Sequence, residues 1–416
     1  MASLSIRSPE AEEDDEEEDL LMVVVAAIKE KESKRSWMAR YLTLEGRQRR
    51  DRRIPREALL HPKQSAWQKL YSSKNDQALI TVTGFDHEAF KALLELFGPL
   101  FVNYSPWTGK RDGATYRKLA KPITQKQCGR KRLIKAHACL GLVLAWYRFR
   151  GAEYILQGWF GFTGTHANVW LRFGRRMLLK ALRSSCEAAL PLWPQHDKIG
   201  TLADIVEKKH PALGKERVYC FADGLKLNYE SCAGLEEQGM YYNGWTHGHY
   251  VTNLFVFSVE GRIIKCVVNV PGSVHDSTLL GEWGRVYPEL QEIYDATGGK
   301  CCVDSAFASQ NADYLIRSAQ DIRNCQTPDE VLICTEATSL RQAAEWGMRA
   351  IQSAFPRLKD AIPHETNGGI ERKIMLKLVV LLYNFRLEYI GLNQIRNTYV
   401  PQWSKDAAYF LTNNRV

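Results

Sequence analysis

The chain has 416 residues, 45% of them hydrophobic and 11% aromatic, with Lys and Arg exceeding Asp and Glu by nine. That length and apolar fraction suit two to three globular domains and exclude a fibrous, low-complexity or wholly disordered protein. Ten cysteines occur without a C-x-x-C pair or a Cys/His cluster at zinc spacing, which argues against a zinc site; several sit inside apolar runs as small core residues, as expected of a reducing, intracellular protein.

Nine of the ten residues Glu10 to Asp19 are acidic, giving residues 1–20 a net charge of −8 and leaving the remainder at +17. Like charges at such density repel and form no core, so residues 1–60 are expected to be a largely disordered head, acidic and then basic. The apolar run Leu20–Ile28 is too short to span a bilayer, and the acidic start lacks the positive region of a signal peptide; no membrane partner is expected. Arg47, Arg49, Arg50, Arg52, Arg53 and Arg56 then cluster in ten residues, a pattern of nuclear import, phosphate contact or a solvated helix face. A basic body of this size points to a polyanionic partner.

A helical, DNA-binding region is expected over 61–200. Lys131–Arg150 is apolar at helical spacing, and Thr165 is placed to cap a second helix running to about Arg183. On that helix Arg172, Arg176, Lys180 and Arg183 recur as one basic stripe beside an apolar one of Trp170, Phe173, Met177 and Ala181. The arrangement is like a helix-turn-helix DNA reader, with a plain solvated basic face as the alternative.

A strand-rich α/β region is expected over 201–395, with a tail at 396–416. Its strands begin near Arg217, at Tyr250–Val259, at Arg262–Val270 and at Lys300–Val303, with a helix from about Ser277 to Tyr294 ahead of the last. Asp223, Asp276 and Asp304 each stand where an apolar strand-like run ends. Charged groups are excluded from strand interiors, so acids at strand exits converge at a sheet edge, where Mg²⁺ offsets their repulsion. Ser339 and Gln342 fit a capping box opening a helix that carries Glu345, with Arg341 and Arg349 one turn away on either side. Glu336 is a fallback acid ahead of that cap. No nucleophilic triad or phosphate-binding glycine loop competes, since Gly161-Phe162-Thr163-Gly164 lacks the lysine such a loop needs.

Five ordered blocks then carry a resemblance: Phe221-Ala222-Asp223-Gly224; Asn243-Gly244-Trp245-Thr246-His247-Gly248-His249-Tyr250-Val251-Thr252-Asn253; Pro271-Gly272-Ser273-Val274-His275-Asp276-Ser277; Val303-Asp304-Ser305-Ala306-Phe307; and Glu345 with Phe355, Arg357, Leu358 and Lys359. Over roughly Leu133 to Ile390 the chain resembles PIF/Harbinger-type transposases. The resemblance implies an α/β ribonuclease-H-like catalytic core and a DDE endonuclease that cleaves double-stranded DNA at transposon ends and transfers strands. Two Mg²⁺ or Mn²⁺ ions would be held by Asp223, Glu345 and either Asp304 or Asp276. In such a sheet, ordered 3-2-1-4-5, the fourth strand adjoins the first, which favours Asp304; Asp276 would otherwise cap the helix after it. A nuclear location, a homodimer and a Myb-like DNA-binding partner follow as expectations, with a recruited DNA-binding or scaffold protein that no longer cuts as the alternative. Trp245, His247, His249 and Tyr250 are either DNA contacts or a packed hairpin.

Overall fold

The computed structural model describes residues 30–40, 54–106, 121–122, 132–190, 196–230, 235–275, 278–307, 312–318, 325–363, 369–391 and 393–400. The acidic head, most of the arginine cluster, the end of the tail and Asp276 lie outside the described residues. Two units are distinguished, Met1–Leu59 and Leu60–Val416. In the first, residues 30–40 are helical, with Lys34 paired to Glu30 at 2.7 Å, one turn away.

The second unit is built on a sheet whose first strand, β1 (Val218–Asn228), has Val218 to Ala222 fully buried. β2 (Gly248–Ser258) pairs antiparallel with it over nine residues, and β3 (Ile263–Pro271) pairs antiparallel with β2 after a turn at Glu260-Gly261. Gly261 has φ of +80°, which a hairpin turn asks of glycine. β4 (Lys300–Val303) returns to the other side of β1 in parallel, and β5 (Leu315–Arg317) adds parallel to β4. The order is therefore 3-2-1-4-5, mixed in direction, with a sixth, two-residue strand, Tyr242–Asn243, paired antiparallel with the start of β2. β5 is a fifth strand beyond the four expected; three residues are too few to show a period.

Among the described residues of this unit, the helices ahead of the sheet include α1 (Ala66–Ser73), α2 (Asp76–Thr83), α3 (His87–Asn103), α4 (Ala136–Arg148), α5 (Tyr154–Phe160), α6 (Gly164–Leu182) and α7 (His196–Glu207). α8 (Pro211–Lys215) and α9 (Leu235–Tyr241) are short, and α10 (Val286–Thr297) leads into β4. α11 (Pro328–Ala354) and α12 (Ile370–Ile390) are the two long C-terminal helices, and α13 (Gln394–Tyr399) follows. α7 and α11 pack on β1, while α12 packs on both β3 and α6, so helical segment and sheet share one core.

Three expectations need correction. The helix carrying Glu345 starts at Pro328, not Ser339. Its cap is Thr327, whose hydroxyl accepts from the Glu330 amide at 3.2 Å while the Glu330 carboxylate accepts from the Gln326 amide at 2.7 Å. Proline at the first helical position loses no needed donor, and Ser339 is simply an exposed mid-helix residue. The segment after β3 is a π-turn (Leu279–Trp283) followed by α10, not one helix from Ser277. Between the two expected helices of the basic segment lies a third, α5, and the second, α6, begins after Thr163 rather than Thr165.

Candidate active site

Asp223 and Asp304 meet because β1 and β4 are neighbours. Ala222 is in register with Val303, so the acids that follow these residues are neighbours on adjacent parallel strands; Asp304 stands where β4 ends, whereas Asp223, expected at a strand exit, lies within β1, which continues to Asn228, and is paired with Phe255 of β2. Asp223 Oδ1 accepts from the Gly224 amide at 2.7 Å. Asp304 Oδ1 accepts from the Ser305 amide at 2.8 Å and from the Ser318 hydroxyl at 3.3 Å, a contact made available by β5. β3, the strand that leads toward Asp276, is separated from β1 by β2.

Glu345 arrives from α11. Buried Leu340, Ala344, Met348 and Ile351 hold this helix against the sheet, leaving the Glu345 side chain 42% exposed at the rim. Arg341, one turn earlier, reaches both ways: 3.9 Å to Asp223 Oδ2 and 3.6 Å to Glu345 Oε1. Arg349 lies 3.8 Å from the other Glu345 oxygen and is exposed. The expected flanking of Glu345 by arginines is present, and Arg341 extends it to the strand acid.

Burial raises the Asp223 carboxyl to about 6; the Gly224 amide and Arg341 oppose the shift, and the charges of Asp304 and Glu345 add to it. Three acids thus share one electrostatic neighbourhood, with one guanidinium as their main internal counter-charge. As hard oxygen donors they suit Mg²⁺ or Mn²⁺ chemically. Among the described residues no three His, Cys, Asp or Glu side chains stand close enough together to hold an ion, and Arg341 occupies the position between Asp223 and Glu345.

Other singled-out residues fall elsewhere. Glu336 accepts the amides of Ala212 and Leu213 at 2.9 and 3.0 Å, capping α8, so it is committed away from the acid edge. The basic stripe is not one free face. α6 is buried along most of its circumference, Arg172 is half-buried, Arg176 is ion-paired with Glu371 of α12, and Lys180 donates to the Tyr104 hydroxyl; Lys180 and Arg183 are exposed. The sequence pattern could not reveal Glu371, which is distant in the chain. Trp245 and His247 are exposed on the turn before β2, with His249 and Tyr250 half-buried behind them. No helix among the described residues is long and apolar enough to cross a membrane.

No curated protein and no solved structure matches the chain. Residues 222–384, which begin beside Asp223, span Asp304 and Glu345 and end within α12, match the family model of a DDE superfamily endonuclease. This supports a nuclease-type enzyme similar to the DDE transposases.

Proposed function

We propose that the chain is a metal-dependent DNA endonuclease of the PIF/Harbinger transposase type, with Asp223, Asp304 and Glu345 as its acidic triad on a ribonuclease-H-like core. The observation that carries this reading is the parallel register of Ala222 with Val303, which sets Asp223 beside Asp304. The strand order 3-2-1-4-5 supports the core, and the matched span of 222–384 supports the chemistry. Asp304, one strand from Asp223, is the better second acid than Asp276, which follows a strand two positions away.

Asp223, Asp304 and Glu345 would hold the Mg²⁺ or Mn²⁺ ions once the three carboxylates draw closer together and the Arg341 side chain leaves the position between Asp223 and Glu345. When bound, these would activate the attacking water or 3′-hydroxyl and stabilise the leaving oxygen of an in-line displacement at phosphorus. The protein's own work is placement. β1 and β4 fix two carboxylates through the sheet ladder, Ser318 and the Ser305 amide orient Asp304, and α11 brings the third to the rim. Arg341 holds Asp223 and Glu345 toward one another and limits their repulsion with Asp304.

The partner is double-stranded DNA, consistent with the excess of positive charge outside residues 1–20. A nuclear location, a homodimer holding two DNA ends and a Myb-like DNA-binding partner belong to the same reading. The test is nicking of supercoiled plasmid with Mg²⁺, Mn²⁺ or EDTA by the wild type and by Asp223→Asn, Asp304→Asn, Asp276→Asn and Glu345→Gln. Metal-dependent nicking lost in the Asp223, Asp304 and Glu345 variants and kept in Asp276→Asn is the expected result. DNA binding without cleavage by any form would favour a recruited binding protein instead.

A further inference from the structure

The β1–β2 pair continues beyond the acids. Asp223 faces Phe255 and Asn228 faces Tyr250, so the ribbon runs five residues past the acid edge, roughly 17 Å at the antiparallel rise. It ends in a braced turn. Tyr242 and Asn243 pair with His249 and Gly248; Asn243 Oδ1 accepts from the Thr246 amide at 3.0 Å and hydroxyl at 2.9 Å, and its Nδ2 donates to the Gly272 carbonyl at 2.8 Å. His247 adopts a φ of +51° to close it.

Trp245 stands at the apex of this turn, 91% exposed. None of the bonds that hold the turn uses the indole. Met240 and Tyr242, a few residues before it in the chain, are also exposed, and Nδ1 of His247 lies 3.3 Å from the Tyr242 hydroxyl. Residues 238–259 contain no acidic side chain. An exposed indole on a hydrogen-bonded turn, in a segment without acids, has the features of a base-stacking platform. One exposed ring is much too small for a stable protein interface.

We propose that Trp245 stacks on an unpaired base of the DNA whose backbone lies at the acid edge; β2 runs seven residues from Phe255 to Gly248 before the turn, roughly 24 Å, or about seven nucleotides from the phosphate under attack at ~3.4 Å per nucleotide. This rests on the DNA-endonuclease reading and adds a contact to it. Stacking is tolerant of sequence, so the platform would recognise an opened or gapped site rather than a particular base.

The test is equilibrium binding of the full chain, in EDTA, to a synthetic duplex carrying a short single-stranded gap and to the same duplex intact. Trp245→Ala is expected to weaken binding to the gapped duplex roughly tenfold, while Trp245→Phe keeps most of it. Binding to the intact duplex, the salt dependence and the melting temperature should not change, because a stacking contact releases no counterions and an exposed ring contributes little to folding. Unchanged gapped-duplex affinity in Trp245→Ala overturns the proposal. So does an equal loss on both duplexes with a shallower salt dependence, which would mark a phosphate contact, or a changed oligomeric state by light scattering, which would mark a protein contact. Plasmid nicking separates the two ideas: wild-type nicking with unaltered gapped-duplex binding by Trp245→Ala removes only the platform, and the opposite pattern removes only the endonuclease.

Discussion

Arg341 Nη1 lies 3.9 Å from Asp223 Oδ2, linking α11 to the strand that carries the first acid. The same guanidinium contacts Glu345 at 3.6 Å, and its Nε is buried without a hydrogen-bond partner. A cation kept in that position despite an unsatisfied donor is explained by the three acids around it. Replacing Arg341 by Gln should therefore destabilise the metal-free protein by about 1 kcal/mol, the pair being long and partly solvated. Asp223→Asn removes the charge that Arg341 balances, so the double variant should be more stable than the sum of single effects predicts. Urea unfolding of the four forms measures the coupling, and strict additivity would show that the contact has no energetic content.

Asp223 also sets a pH dependence. Its folded pKa of about 6 lies above the ordinary 3.8, so between those values the native state binds more protons than the unfolded chain. The stability this group contributes is fully present below about pH 4 and is lost as pH rises through about 6. The size of the shift corresponds to about 3 kcal/mol. Asp223→Asn should therefore be more stable than the wild type above neutrality, with no difference of that kind in acid, although it loses nicking. Denaturant midpoints on either side of pH 6 give the answer; a variant destabilised at high pH would contradict the sign.

Glu336 and Glu345 lie on the same helix and separate two kinds of acid. Glu336 caps α8, so Glu336→Ala should cost about 1 kcal/mol of stability and leave metal-dependent nicking intact. Glu345, half-exposed at the rim, should show the reverse, with Glu345→Gln nearly neutral in stability and inactive on plasmid. Loss of nicking in Glu336→Ala at full stability would reassign the third acid.

How much of this was legible depends on the range of the interaction. Asp223 and Asp304 stand out because a buried strand run ending in an acid is a local pattern, and their adjacency followed from the strand order expected of the resembled fold. Ser339-x-x-Gln342 imitates a cap within α11, whereas the true cap, Thr327, carries an equally local signal in Pro328 and Glu330. Arg176 reads as part of a free basic, DNA-facing stripe because its partner, Glu371, comes from a helix far along the chain. The reach of Arg341 to Asp223 was invisible for the same reason: helical spacing shows Glu345 one turn away but not the strand beneath.

Gly347 shows tertiary packing overriding a local rule. In the middle of a helix, glycine is worth about 1 kcal/mol less than alanine, so helix propensity alone predicts that Gly347→Ala stabilises. Yet a Cβ at this position would come within 2.6 Å of the Phe257 ring. That ring is fully buried on β2 and is surrounded by Phe221 at 6.1 Å, with Phe255 and Tyr383 each at 6.3 Å between ring centres. It has little room to move, and overpacking of this kind typically costs about 1–3 kcal/mol. The clash outweighs the propensity gain, so Gly347→Ala should be destabilised by about 1 kcal/mol. Because α11 must shift outward to relieve it, Glu345, two residues away, should leave its place beside Arg341 and Asp223, and nicking should fall with it. Phe257→Leu in the same chain should recover part of both losses by returning the space. Should Gly347→Ala prove more stable than the wild type, the close approach of α11 to β2 is wrong, and the position assigned to Glu345 falls with it.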